Sequence, residues 1–167
     1  MTEQEIHDIC KEYNITNYSI NPDGSIDVDG NVDLNKKGLI EIPLKFNKVS
    51  KSFLCKQNQL TSLYGSPERV DGYFSCEYNK LTSLEGCPKF VGRNFNCNEN
   101  NLTSLEGFPK FVGRNLLCTR NPLESLEGYN LKYYNLYCDN KEKLVEIDII
   151  DRKKKKRKEK LKLIEKL

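Results

Sequence analysis

Residues 57–76, 78–97 and 99–118 read QNQLTSLYGSPERVDGYFSC, YNKLTSLEGCPKFVGRNFNC and ENNLTSLEGFPKFVGRNLLC, and they superpose without a gap. A fourth copy at 120–138, RNPLESLEGYNLKYYNLYC, is one residue shorter. Leucine recurs every 21 residues at Leu39, Leu60, Leu81, Leu102, Leu123 and Leu144. A second apolar series runs Ile42, Leu63, Leu84, Leu105 and Leu126, and a third Val49, Val70, Val91 and Val112. Asn58, Asn79, Asn100 and Asn121 keep the same period, as do Gly65, Gly86, Gly107 and Gly128. So do Pro67, Pro88 and Pro109, and Cys55, Cys76, Cys97 and Cys118, with Cys138 one residue early. Self-similarity at a fixed period of this length is the mark of a solenoid, because one unit cannot bury its apolar face alone and must stack on copies of itself.

The unit F-x-C-x-x-N-x-L-T-S-L-x-G-x-P-x-x-V resembles the leucine-rich repeats at their short end. Its wording is similar to repeat proteins of bacteriophages, large DNA viruses and some bacteria. The resemblance covers about residues 31–145. It implies the α/β horseshoe class: a parallel sheet on a concave face, short 3₁₀ or extended segments on the convex side, and caps at the ends. It also implies that the concave face binds a partner, and that a viral member acts on a host factor in the host cytoplasm.

Alternation within Phe53-x-Cys55 and Phe74-x-Cys76 places these residues inward on a strand. Stacked about 4.8 Å apart, about six turns span roughly 30 Å. The repeating asparagine stands where the chain leaves the strand, where its amide can bond backbone groups stranded by the bend.

The ends need caps, since open turns expose apolar surface and strand edges. Residues 1–30 supply one. Thr2 with Glu5 forms a capping box, and Ile6, Ile9, Cys10 and Tyr13 share a helical face. Asn21-Pro22-Asp23-Gly24, flanked by Tyr18, Ile20, Ile26 and Val28, predicts a β-hairpin. At the other end, residues 146–167 predict a last strand through Ile147, Ile149 and Ile150 and a basic helix from Asp151.

The 167 residues carry net charge +3. Residues 151–167 alone carry +7, which leaves −4 on the rest. The run Arg152, Lys153, Lys154, Lys155, Lys156, Arg157 and Lys158 suits a solvated helix face or a polyanion, nucleic acid included. No aromatic residue interleaves with it, unlike single-strand binding surfaces.

No stretch approaches 18 apolar residues, so no transmembrane helix is expected. The acidic start at Glu3, Glu5 and Asp8 is unlike a secretory leader, which favours the cytoplasm and reduced thiols. The single histidine, His7, offers no base–nucleophile pair, and no phosphate-loop or nucleophile-elbow motif occurs. One cysteine per turn along a line is a packed thiol column rather than a zinc site. The carboxylates Asp23, Asp27, Asp29 and Asp33 lack calcium-loop spacing. We therefore expect neither catalysis, nor a cofactor, nor a metal.

What remains is recognition of a partner protein. The outward strand positions vary from turn to turn: Leu54 and Lys56; Tyr73, Ser75 and Glu77; Asn94, Asn96 and Asn98; Asn115, Leu117 and Thr119; Asn135, Tyr137 and Asp139. Tyr78, Glu99 and Arg120 flank the strand ends. Tyrosine and arginine are common binding hot spots, which selects Tyr73, Tyr78, Arg120 and Tyr137. Phe90 and Phe111 stand beside the inward Val91 and Val112; they either face outward as an apolar patch or fold under the convex side. Self-assembly through imperfectly capped ends is a further reading.

Overall fold

The computed structural model describes residues 1–126 and 135–139. The basic run 152–158, the strand and helix expected over 146–167, and Leu144 lie outside these residues.

The chain opens with α1 (Glu3–Glu12), whose Thr2 hydroxyl accepts from Glu5 N while Glu5 Oε2 accepts from Thr2 N. The reciprocal bonds satisfy two amides that the first helical turn leaves unpaired. Ile6 and Cys10 are buried by this helix, with Ile9 and Tyr13 packed against the same core. A hairpin follows, β1 (Tyr18–Ile20) against β2 (Ile26–Val28), in the register Tyr18 to Val28. At its tip Gly24 has φ +75°, the left-handed conformation that glycine accepts without a Cβ clash, and Asp23 Oδ1 takes the Ser25 amide.

From β2 onward each turn of the coil carries two short strands. They are β2 with β3 (Val32–Asp33), β4 (Phe46–Val49) with β5 (Phe53–Leu54), and β6 (Arg69–Val70) with β7 (Phe74–Ser75). Then come β8 (Phe90–Val91) with β9 (Phe95–Asn96), β10 (Phe111–Val112) with β11 (Asn115–Leu117), and finally β12 (Asn135–Tyr137). The strands stack into two six-stranded sheets, β1-β2-β4-β6-β8-β10 and β3-β5-β7-β9-β11-β12. All neighbours are parallel except the β1–β2 hairpin. Partners are 21 residues apart through most of the coil, as in Val49 to Val70 and Phe53 to Phe74. The molecule is a β-solenoid of about five turns with little helix among the described residues.

This corrects the expectation for the side opposite the strands of Phe53, Phe74 and Phe95. The segments around Val70, Val91 and Val112 are extended, as one of the two options had it, but they also pair into a ladder of their own. A strand only two residues long shows no alternation for a sequence reading to find. Its pairing comes from the common period, which brings each Val to the Val of the next turn.

The core is one continuous cluster. Phe53, Phe74 and Phe95 stack with ring centroids 5.7 and 5.1 Å apart. Leu60, Leu81 and Leu102 form a fully buried column, with Leu39 and Leu123 half-buried at its described ends. Leu63, Leu84, Leu105 and Leu126 form a second. Cys55, Cys76, Cys97 and Cys118 are buried free thiols. Each thiol reaches the carbonyl of the following turn at 3.4–3.5 Å. Burial pushes the Cys55 thiol up to about 12.

The asparagine ladder forms as expected. Asn79 Nδ2 donates to the carbonyls of Cys55, Cys76 and Glu77, and its Oδ1 accepts from Leu60 N. Asn58, Asn100 and Asn121 do the same in their turns.

Candidate functional site

The outward face of the second sheet carries the residues selected for recognition. Its register aligns them in three columns along the solenoid axis. The central column runs Asp33, Leu54, Ser75, Asn96, Leu117 and Tyr137. One flank runs Asn31, Ser52, Tyr73, Asn94, Asn115 and Asn135. The other runs Asn35, Lys56, Glu77, Asn98, Thr119 and Asp139.

Short strands leave amides beyond the ladder unpaired, and side-chain oxygens one turn back take several of them. Asn94 Oδ1 accepts from Asn115 N at 3.2 Å, and Asn98 Oδ1 from Thr119 N at 2.7 Å. Asn31, Ser52 and Asn35 serve Ser52 N, Tyr73 N and Lys56 N in the same way. Asn96 donates to Glu77 Oε2 at 2.6 Å and accepts from Asn98 N at 3.1 Å. Asn94, Asn96 and Asn98, expected as partner contacts, therefore already hold the face together through their oxygens. Glu77 is half-buried between Asn96 and Lys56, whose ammonium lies 3.6 Å away.

Ser75, expected to contact a partner, is only 8% exposed. Its side chain is shorter than those of Leu54 and Asn96, the residues paired on either side. Its Oγ is buried with no hydrogen-bond partner.

The aromatic positions differ. Tyr73, Tyr78 and Tyr137 are 37%, 46% and 50% exposed. Tyr78 and Arg120 belong to a left-handed column of non-glycine residues, Lys36, Gln57, Tyr78, Glu99 and Arg120, with φ between 54 and 56°. This turn reverses the chain just before each ladder asparagine. Arg120 pairs with Glu99, which raises its pKa, and its backbone N donates to Asp139 Oδ2.

Tyr73 and Tyr78 lie on opposite edges of the face, so the structure does not gather the selected residues into one pocket. They form a broad surface instead. Sequence reading missed Arg93 and Arg114. The Arg93 guanidinium lies 5.4 Å from the Tyr73 ring centre. Its proximity to the Tyr73 hydroxyl, with the charge of Arg114 behind it, lowers that phenol's pKa. The signal was present as the repeated Gly-Arg-Asn at 92–94 and 113–115.

On the first sheet, Phe90 and Phe111 stand on the outward side of β8 and β10. They stack at 4.7 Å, and the Arg69 guanidinium covers Phe90 at 3.8 Å. Phe111 is 43% exposed and Phe90 half-buried. This settles the two options in favour of the outward one.

The other candidates are engaged locally. His7 Nδ1 meets the Tyr18 hydroxyl at 2.5 Å. Asp23 is held well below the usual carboxylate range by Lys45 and Ser25. Asp27 accepts from Asn47 at 2.7 Å, Asp29 from Ser50 Oγ at 2.6 Å, and Asp33 from Asn35 N at 3.0 Å. Among the described residues no helix is long and apolar enough to cross a membrane. We find no match between this chain and any family model, curated protein or solved structure.

Proposed function

We propose that the chain is a non-catalytic binding module whose second sheet presents its outward face to a partner protein. The observation that carries this reading is the contrast between the two sides of that sheet. Inward, phenylalanine and cysteine are fixed by stacking, with Val32 and Leu34 in their places in the first turn and Leu116 and Leu136 taking the phenylalanine position in the last two strands. Outward, each turn differs, and three tyrosines stand 37–50% exposed on a scaffold of repeated hydrogen bonds. Rigid, amphipathic tyrosines on a pre-ordered surface are the usual anchors of protein recognition. The unit N-x-L-T-S-L-x-G-x-P supports placing the chain beside the short leucine-rich repeats.

The test compares the wild-type chain with the triple variant Tyr73→Ala/Arg120→Ala/Tyr137→Ala as baits in lysate of its own cells. The wild type retains a partner that the variant loses, while the melting temperature stays within about 2 °C, since surface changes rarely exceed ±0.5 kcal/mol. Capture by the triple variant at wild-type level refutes the reading.

A second reading uses the basic run Arg152–Lys158 for nucleic acid or another polyanion, and its support is the +7 carried by residues 151–167. Binding would then fall steeply with salt and vanish on truncation after Asp151.

A further inference from the structure

The corner that joins the two sheets carries a column of its own. Gly30, Lys51, Gly72, Arg93 and Arg114 follow one another through backbone bonds of 2.8–3.2 Å, each amide donating to the carbonyl of the residue before it in the column. Gly72 is required there, because a Cβ would stand 2.7 Å from the Lys51 carbonyl carbon and oxygen and from Ser52 Oγ. Its bare backbone leaves a notch one turn wide between the Lys51 and Arg93 side chains. The notch opens as a groove of about 250 Å³ whose lining includes Lys51, Ser52, Gly72, Tyr73 and Arg93. Asp71 also lines it, but its Oδ1 is held by Arg69 at 2.7 Å.

This corner brings two arginines and a lysine into one column, and like Lys36, Lys37 and Lys48 elsewhere they have no carboxylate within ion-pair distance among the described residues. Lys45, Lys56, Arg69, Lys89 and Arg120 each have a carboxylate partner. Among the described residues Lys51, Arg93 and Arg114 have none. Arg93 is held over the Tyr73 ring instead. Arg114 follows one turn later, about 4.8 Å along the axis, and Lys51 lies two turns before Arg93, roughly 10 Å away. Guanidinium groups so arranged can each take an oxyanion with two parallel hydrogen bonds.

We infer that this corner is an anion site that takes acidic side chains of a partner segment laid along the solenoid axis beside Tyr73. The inference rests on the reading of the adjacent face as the binding surface and names the charge of what binds at that edge. The opposite edge gives the contrast, since Glu99 and Asp139 there already engage Arg120. Carboxylates and phosphorylated side chains share the required oxyanion chemistry, and the probes separate them.

The experiment titrates the full chain with fluorescent octaglutamate, a phosphoserine octapeptide of equal charge and a single-stranded oligothymidine. Anisotropy gives affinity, and the arginine Nε–Hε resonances locate binding. Octaglutamate or the phosphopeptide should shift the Arg93 and Arg114 resonances. Arg93→Ala/Arg114→Ala should weaken that binding about tenfold and Lys89→Ala, whose ammonium is paired with Glu68, less than about twofold, in keeping with the loss of unpaired as against paired charges. Binding of the basic tail is common to all variants and leaves these resonances unmoved. Unshifted resonances, or equal affinity of the double variant, overturn the anion site. Tighter binding of the oligothymidine, lost in the same variant, overturns the peptide as its ligand. Neither result depends on Tyr137 or Arg120, so failure of the broader binding face is read separately from the triple variant.

Discussion

The side-chain amide of Asn79 donates at 3.0 Å to the carbonyl of Cys55, 24 residues earlier, and so ties one turn of the coil to the turn before it. The same amide bonds Cys76 O at 3.0 Å, and its oxygen accepts from Leu60 N at 3.0 Å. All of these groups are buried. Asn79→Ala or Asn100→Ala should cost about 2–4 kcal/mol, since unpaired buried groups cost about 1–3 kcal/mol each and water reaches part of the vacated space. Asn79→Asp should be at least as harmful, because a carboxylate cannot donate to three carbonyls. Urea unfolding of these variants checks this; a loss below about 0.5 kcal/mol would contradict it.

The apolar columns make a similar demand. Leu84 and Leu105 are fully buried in the middle of the stack. Replacing either by Ala should cost about 2–5 kcal/mol. Leu54, on the outward face and half-buried, should lose clearly less on the same change. Equal losses at Leu84 and Leu54 would mean that the interior and the outward surface are wrongly assigned.

The thiol column predicts a pH dependence. Cys55, Cys76 and Cys97 are buried and their pKa values are raised by desolvation, that of Cys55 to about 12. In the unfolded chain they ionise near the ordinary 9.0. Above that value the unfolded state gives up protons that the folded state keeps. The stability contributed by the neutral thiols is therefore fully present below pH 9.0 and is lost as pH rises toward 12. Each should forfeit about 1.4 kcal/mol per pH unit over that window. Unfolding midpoints measured from pH 8 to pH 10.5 should fall; a level profile would show that the thiols are not buried.

Two backbone sites respond to glycine in opposite senses. A Cβ on Gly92 would stand 2.2 Å from Asp71 O, so Gly92→Ala must push adjacent turns apart. Gln57 holds φ 55° as an exposed non-glycine residue. Gln57→Gly should relieve left-handed strain and raise stability by about 0.5–1 kcal/mol, the steric cost exceeding the added freedom of the unfolded chain. Thermal unfolding should separate the two in sign, and a destabilised Gln57→Gly would place that residue in another conformation.

Much of the scaffold was legible in the sequence because it depends on period alone. The 21-residue spacing gave the leucine columns, the thiol column and the asparagine ladder; the Thr2/Glu5 pair and the Asn21–Gly24 turn gave the cap. The sheet of β6, β8 and β10 was not legible, since each of these strands sets a single valine inward and shows no alternation. The left-handed column was hidden because Tyr78, Glu99 and Arg120 stand where glycine would have signalled it. On the candidate face, alternation identified the outward positions. It could not show that Ser75 is overshadowed by its neighbours in the column, or that Asn94 and Asn98 serve the next turn's backbone. The cationic corner needed the third dimension: Lys51, Arg93 and Arg114 become one site only when the turn between the two sheets is stacked.

The stacking itself is open to direct measurement in solution. Nuclear Overhauser contacts in the labelled protein should join residues 21 apart in both sheets at once, Phe74 to Phe95 in one and Val70 to Val91 in the other. Contacts along Phe53, Phe74 and Phe95 without those between Val70, Val91 and Val112, or any consistent period other than 21, would contradict the two-sheet coil and with it the surface assigned to recognition.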